Sequence, residues 1–174
     1  MVSKRKLLVN RALEIAEDDS HGYSQFKPFG RWGPDYDCSS FIYEIADYAG
    51  YDVGRGYLDG KVRFTGTMLK DFKDAGFQIL PFANVGLGDL EIGDILLNLA
   101  LHAEVYVGEG QSVGAMASEN GGYSGEPGDQ TGQEISKHPA YILDKGWDYV
   151  LRPPSEEEPD NDEEVDDKGG QEMP

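Results

Sequence analysis

The sequence is poor in cysteine, in long apolar runs and in basic residues. Cys38 is the single cysteine among 174 residues, so no disulfide can form within the chain. No stretch approaches the roughly 20 apolar residues that a membrane-spanning helix needs. The basic start is followed by only three consecutive apolar residues, at positions 7–9. We therefore expect no secretory signal, no membrane partner and synthesis in the cytoplasm.

Acidic residues strongly outnumber basic ones. The chain carries 33 Asp and Glu against 15 Lys and Arg, a net charge of −18. Nucleic-acid binding depends on basic side chains that neutralise phosphates, so no nucleic-acid partner is expected. Half of the net charge lies in residues 155–174, where ten acidic residues and one lysine occur almost without apolar residues. This division predicts one folded domain over residues 1–154 and an acidic disordered tail over residues 155–174.

The spacing of apolar residues changes halfway along the chain. Helical spacing predicts helices over residues 4–17, 38–49 and 67–75, the second of them between an Asp37 N-cap and a Gly50 stop. Short β-rich segments then follow one another, and residues 108–110 form a hairpin turn between two of them. Helices followed by strands predict an α+β fold with helices packed on an antiparallel sheet. The predicted strands cover residues 77–80, 94–99, 103–108, 112–117, 134–137 and 148–152.

Two side chains could carry chemistry. Cys38 lies in the first turn of the best-defined helix, where free N–H groups favour a thiolate. A small buried residue is the other interpretation of a lone cysteine. His102 begins an alternating strand and could serve as the base that a nucleophilic thiol needs. One cysteine and three scattered histidines show no metal-ligand spacing, so no metal site is predicted.

Several motifs follow one another along the chain. They are GYSQ at 22–25, RWGPDYDCSSFI at 31–42, LEIGDILL at 90–97, HAEVYVGEG at 102–110, GDQTGQEI at 128–135 and WDYVLR at 147–152. In these motifs the chain resembles the NlpC-type papain-like cell-wall cysteine hydrolases, and most of all their phage endolysin branch. The resemblance covers roughly residues 8–152. It implies that Cys38 is the nucleophile, that His102 is its base and that no cofactor is needed.

The resemblance also implies residues around the nucleophile. Asp37 and Ser39 match positions that flank the family's substrate site, although Asp37 is also a natural helix cap. Trp32 and Tyr36 could line the cleft or could simply pack the loop. The backbone N–H of Cys38, at a helix N-terminus, is a candidate oxyanion donor.

The residue that orients the histidine departs from the usual pattern. Many relatives place a polar residue on the next strand, at the position that is Gly114 here. In the endolysin branch an acidic residue before a Gly-Gly pair matches Glu119, which is our prediction. Strand alternation would instead favour Ser118 or Asn120, unless a bulge intervenes.

The resemblance implies hydrolysis of a peptidoglycan amide bond. An N-acetylmuramoyl-L-alanine amidase is slightly favoured over an endopeptidase that cuts after γ-D-glutamate. A non-catalytic wall-binding module and an acyltransferase on the same scaffold stay open. An endolysin would act after release through a holin-type lesion, or as part of a virion, and we expect a monomer.

Overall fold

The computed structural model describes residues 3–17, 36–54, 63–115 and 135–156. Its three helices are α1 (Lys4–Glu17), α2 (Cys38–Ala49) and α3 (Thr65–Asp74). The first two have the predicted bounds, whereas α3 begins two residues before the predicted start. The reason is Thr67, whose hydroxyl accepts the Phe64 N–H at 3.0 Å and so caps the helix from its third position. None of the helices in these ranges is long and apolar enough to cross a membrane.

All six predicted strands are present and form one antiparallel sheet. Its spatial order is β1-β6-β2-β3-β4-β5. The predicted hairpin turn joins β3 to β4, and Gly108, Glu109 and Gly110 all have positive φ there. The strands are β1 (Gln78–Pro81), β2 (Ile95–Asn98), β3 (His102–Gly108), β4 (Gln111–Ala115), β5 (Ile135–Pro139) and β6 (Tyr149–Arg152).

The start of α2 is fixed by a capping box. The Asp37 carboxylate accepts the Ser40 N–H at 2.8 Å, and the Ser40 hydroxyl accepts the Asp37 N–H at 2.9 Å. At the other end Gly50 adopts a left-handed conformation with φ of 101°, which stops the helix. Both ends of α2 therefore agree with the sequence-based prediction, and Cys38 becomes the first residue of the helix.

Side chains of the sheet alternate between two faces. Odd-numbered residues of β3 and β4 pack against α1 and α2 in the main core, which also buries Phe41 and Ile45 completely. Full burial of a side chain such as Phe41 stabilises the fold by about 2–3 kcal/mol. Even-numbered residues of β3 and β4 point to the opposite face. A second cluster of Leu96, Trp147 and Val150 lies on the side of the sheet away from the main core.

Two hydrogen bonds join the C-terminal end of the described residues to the start of α1. The Glu156 carboxylate accepts the backbone N–H groups of Lys4 and Arg5 at 2.9 and 3.0 Å. An anionic group at these first-turn amides is favourable because they have no carbonyl partner within the helix. Glu156 lies two residues beyond the predicted end of the folded domain and contacts α1. The rest of the predicted acidic tail over residues 155–174, from residue 157 onward, lies outside the described residues.

Candidate active site

Cys38 lies where the N-terminus of α2 meets the start of β3. Its side chain hydrogen-bonds the backbone of Ala103, the residue that follows His102 in the strand. The backbone groups of Cys38 and Ser39, both in the first turn of the helix, also hydrogen-bond the thiol. The fold therefore brings Cys38 to the strand end that carries His102, although 64 positions separate the two residues in sequence.

The surroundings of Cys38 favour the neutral thiol over the thiolate. Burial raises its pKa from 9.0 to about 12, and the negative charge of Asp37 adds to this effect. The surrounding backbone amides act in the opposite direction, because they donate to the sulfur and favour the thiolate. A thiol with this pKa needs a base beside it before it can react as a nucleophile at neutral pH.

His102 is held on two sides. Its Nε2 lies 2.8 Å from Glu104 Oε2, and its ring stacks on Trp147 with centroids 6.1 Å apart. The side chain is 12% exposed, so it is reachable but not free to rotate through solvent. Because Nε2 is occupied by Glu104, Nδ1 is the nitrogen left to exchange a proton with a thiol or a substrate.

Glu104 is completely buried and has four hydrogen-bonding neighbours. Burial by itself would raise its pKa, but the hydrogen bonds from His102 and His138 outweigh burial and lower the pKa to about 2. The carboxylate is therefore ionised at neutral pH. Oε2 contacts His102 at 2.8 Å and the Tyr141 hydroxyl at 2.9 Å, while Oε1 contacts His138 and the Ser112 hydroxyl, both at 2.7 Å.

The remaining predicted residues have less direct roles in the described geometry. Asp37 and Ser39 lie beside Cys38, and the Ser39 hydroxyl donates to the Asp37 carboxylate at 3.1 Å. Both are largely buried, as is Tyr36, whose ring packs edge-on against Phe41. Their contact with a substrate stays a prediction. Trp32, Ser118, Glu119 and Asn120 lie outside the described residues, so their predicted roles also stay predictions.

Sequence reasoning missed Glu104, His138, Tyr141 and Trp147. A signal was available for Glu104, because residues two apart in a strand share a face and His102 already pointed to this one. His138 and Tyr141 come from β5 and the loop after it, and nothing local in the sequence connects them to β3. Within residues 3–17, 36–54, 63–115 and 135–156, no cluster of three or more His, Cys, Asp or Glu could hold a metal ion.

Two solved structures are similar to the chain over most of its length. The peptidoglycan hydrolase RipB of Mycobacterium tuberculosis aligns with a TM-score of 0.52 and 17% identity over 86% of this chain. The P60 domain of antigen MAP1204 from M. avium subspecies paratuberculosis aligns with a TM-score of 0.50 and 15% identity, also over 86% of this chain. This chain has the fold of both domains.

The two alignments differ in how much of the partner they cover. The chain spans 93% of the P60 domain but 64% of the RipB chain, less than two thirds of it. Neither a family model nor a curated protein sequence matches the chain. The two structures confirm the predicted α+β, papain-like NlpC-type fold, with its helices on a six-stranded antiparallel sheet. At identities of 15–17% this likeness extends to the fold alone.

Proposed function

We propose that the chain is a cysteine hydrolase of peptidoglycan amide bonds, with Cys38 as nucleophile and His102 as general base and acid. The observation that carries the proposal is the meeting of a helix-terminal thiol with the strand end that begins at His102. The substrate class is supported by the sequence motifs and by the fold, which is shared with a structure described as a peptidoglycan hydrolase.

The proposed reaction has two halves. In the first, His102 takes the Cys38 proton, the sulfur attacks the amide carbonyl, and the imidazolium returns the proton to the leaving amine. The backbone N–H of Cys38 lies in the first helical turn and is proposed to stabilise the oxyanion. In the second half His102 deprotonates a water molecule. The resulting hydroxide attacks the thioester carbonyl and the C–S bond breaks. The imidazolium returns its proton to the Cys38 sulfur, and the acyl group leaves as a carboxylic acid that ionises in solution.

We propose the muramoyl–L-alanine bond as the one that is cut. The support is the likeness of the motifs at 90–97, 102–110 and 128–135 to the phage endolysin branch, whose members are usually described as such amidases. An endopeptidase that cuts the stem peptide after γ-D-glutamate would use the same Cys38 chemistry. For an endolysin, we propose action on the wall after holin-type release or from the virion.

The experiment digests purified peptidoglycan with the wild-type protein and with Cys38→Ser, then identifies the newly freed amines by mass spectrometry. We expect amines from the wild type and none above background from the variant. A new L-alanine N-terminus supports the amidase, whereas a freed diamino-acid amine supports the endopeptidase. Equal release by both proteins would overturn the cysteine mechanism, and binding without release would support a wall-binding module. Amide formation with an added amine would support an acyltransferase.

A further inference from the structure

We propose that Glu104 is the positioning residue for His102, and that Ser112 and His138 hold Glu104 in place for that task. The inference rests on the proposed Cys38–His102 chemistry and names the group that makes His102 a competent base. Glu104 is on the same strand as His102, two residues later, so both side chains leave the sheet on one face. The contact between them is 2.8 Å long.

The carboxylate of Glu104 is clamped at both oxygens. Oε2 faces His102 and Tyr141, while Oε1 faces His138 and Ser112, at 2.7–2.9 Å in every case. These neighbours belong to β3, β4, β5 and the loop after β5, so the carboxylate cannot turn without breaking contacts to several elements. A buried, fully hydrogen-bonded carboxylate of this kind is rigid, and it fixes the plane of the imidazole it contacts.

The hydrogen bond also selects the tautomer of His102. An ionised carboxylate accepts hydrogen bonds and donates none, so Nε2 must carry the proton that lies between the ring and Glu104. The lone pair of the neutral ring is then at Nδ1, the nitrogen that we propose takes the Cys38 proton. Glu104 thus orients the ring and determines which of its nitrogens can act as the base.

His138 uses the same carboxylate in the same way. Its Nε2 lies 2.7 Å from Glu104 Oε1, while its Nδ1 lies 3.3 Å from the Ser136 hydroxyl. Nε2–H therefore donates to the ionised carboxylate of Glu104, while Nδ1 contacts the Ser136 hydroxyl. The titratable groups that face Glu104 among the described residues are His102, His138 and Tyr141. Burial and the charge of Glu104 raise the pKa of Tyr141, so its hydroxyl stays a donor.

Gly114 on β4 provides the space that Glu104 occupies. The register pairs Val105 with Val113 and therefore brings position 114 opposite Glu104. A Cβ at position 114 would lie 2.6 Å from Glu104 Cγ and 2.8 Å from Oε2, well inside van der Waals contact. A side chain at position 114 and the side chain of Glu104 would therefore occupy the same space, and in this chain Glu104 occupies it.

The test compares Glu104→Gln with Glu109→Gln, a control that makes the same change in the exposed turn of the same hairpin. The main readout is the rate at which iodoacetamide alkylates Cys38 as a function of pH. Since Cys38 is the only cysteine, the rate reports on one thiol and requires no peptidoglycan. A second readout is kcat and KM for peptidoglycan hydrolysis.

We expect Glu104→Gln to move the pH profile of Cys38 alkylation to higher pH by about one unit or more. At pH 7 this shift corresponds to alkylation that is slower by about tenfold or more. We expect kcat to fall by roughly 100-fold or more with little change in KM, since only the base is misplaced. Glu109→Gln should behave as wild type in both assays. An unchanged alkylation profile in folded Glu104→Gln would overturn the inference.

Two further variants keep the test decisive. If Glu104→Gln fails to fold by circular dichroism, Ser112→Ala loosens Glu104 without removing it and should shift the profile in the same direction by a smaller amount. Glu119→Gln tests the competing prediction, and a shifted profile in that variant alone would overturn the role of Glu104. A shift in Glu104→Gln in a protein that fails to digest peptidoglycan would support the positioning role while the proposed substrate fails.

Discussion

Glu104 and Gly114 face each other across neighbouring strands, and the glycine leaves the room that the carboxylate fills. A methyl group at position 114 would approach three atoms of the Glu104 side chain to within 2.6–2.8 Å. Because Glu104 is held by four hydrogen bonds, it cannot move aside at low cost. The arrangement of Glu104 in the site therefore requires a glycine at position 114.

We predict that Gly114→Ala damages both stability and activity. The added methyl group should lower the free energy of unfolding by about 1–3 kcal/mol, the usual cost of overpacking, and should displace Glu104 from His102. Gly88→Ala is the matched control, because a Cβ there meets nothing within 4 Å. Urea denaturation and peptidoglycan digestion measure the two effects. Equal stability and activity of the two variants would contradict the steric argument.

A second prediction separates the two effects of Asp37. Asp37→Asn keeps a good N-cap but removes the charge beside Cys38. Burial is the main reason for the raised pKa of Cys38 and Asp37 is the next, so Asp37→Asn should lower that pKa without returning it to 9.0. Alkylation of Cys38 against pH measures the shift. A profile moved to higher pH in the variant would refute the assigned cause.

The companion variant Asp37→Ala also removes the capping group. It should lower the free energy of unfolding by about 1 kcal/mol relative to Asp37→Asn, because the Ser40 N–H loses its acceptor. Thermal or urea unfolding of the two variants measures the difference. Equal stabilities would mean that the capping box at Asp37 and Ser40 contributes little to the start of α2.

The depressed pKa of Glu104 predicts how stability changes with acid. The folded-state pKa is about 2, against an ordinary value of 4.5, because the bonds from His102 and His138 outweigh the opposing effect of burial. A carboxylate whose pKa is lowered by folding stabilises the protein above its unfolded-state pKa, and this contribution declines as the pH falls from 4.5 towards 2. Wild type should therefore lose stability relative to Glu104→Gln across that interval. Urea unfolding of both proteins from pH 6 to pH 2.5 measures this difference. An equal change in the free energy of unfolding of the two proteins over this pH range would be evidence against the depressed pKa of Glu104.

A further prediction concerns the Asp94–Arg152 pair, which joins the loop before β2 to β6. Asp94 is fully buried, and Arg152 contacts both of its carboxylate oxygens, at 3.0 and 2.8 Å. Arg152→Met should lower the free energy of unfolding by about 2–3 kcal/mol. This loss is smaller than that expected on breaking a fully buried ion pair, because Arg152 keeps some solvent contact. The exposed Lys70–Asp74 pair is the control, and Lys70→Met should have hardly any effect. Similar urea midpoints for the two variants would argue against the burial of the Asp94 charge.

Local signals in the sequence predicted most of the fold. The Asp37 cap and the Gly50 stop predicted both ends of α2, because each depends on backbone groups within one helical turn. The strands were predicted from alternation and from the turn at Gly108–Gly110, with bounds that shifted by one to two residues. Such signals require no knowledge of distant residues, so one sequence is sufficient to find them.

The network around His102 depended on distant residues and was predicted only in part. Counting across the Gly108–Gly110 turn led to Gly114, and a glycine there suggested a missing group. The same count brings Glu104 opposite Gly114. The sequence could therefore have shown that the glycine leaves room for the Glu104 side chain. The partnership with His138 could not be recognised in this way, because residues 116–134 separate β4 from β5 in the sequence and no local sequence signal predicts the register between these two strands.

We propose that the thiol of Cys38 carries out peptidoglycan hydrolysis, and stepwise alkylation of this residue tests the proposal most directly. Because the chain has one cysteine, intact-protein mass spectrometry gives the fraction of Cys38 that iodoacetamide has modified. We predict that the rate of amine release from peptidoglycan falls in proportion to the unmodified fraction of Cys38 and vanishes at one adduct per chain. Undiminished amine release by fully alkylated protein would contradict it.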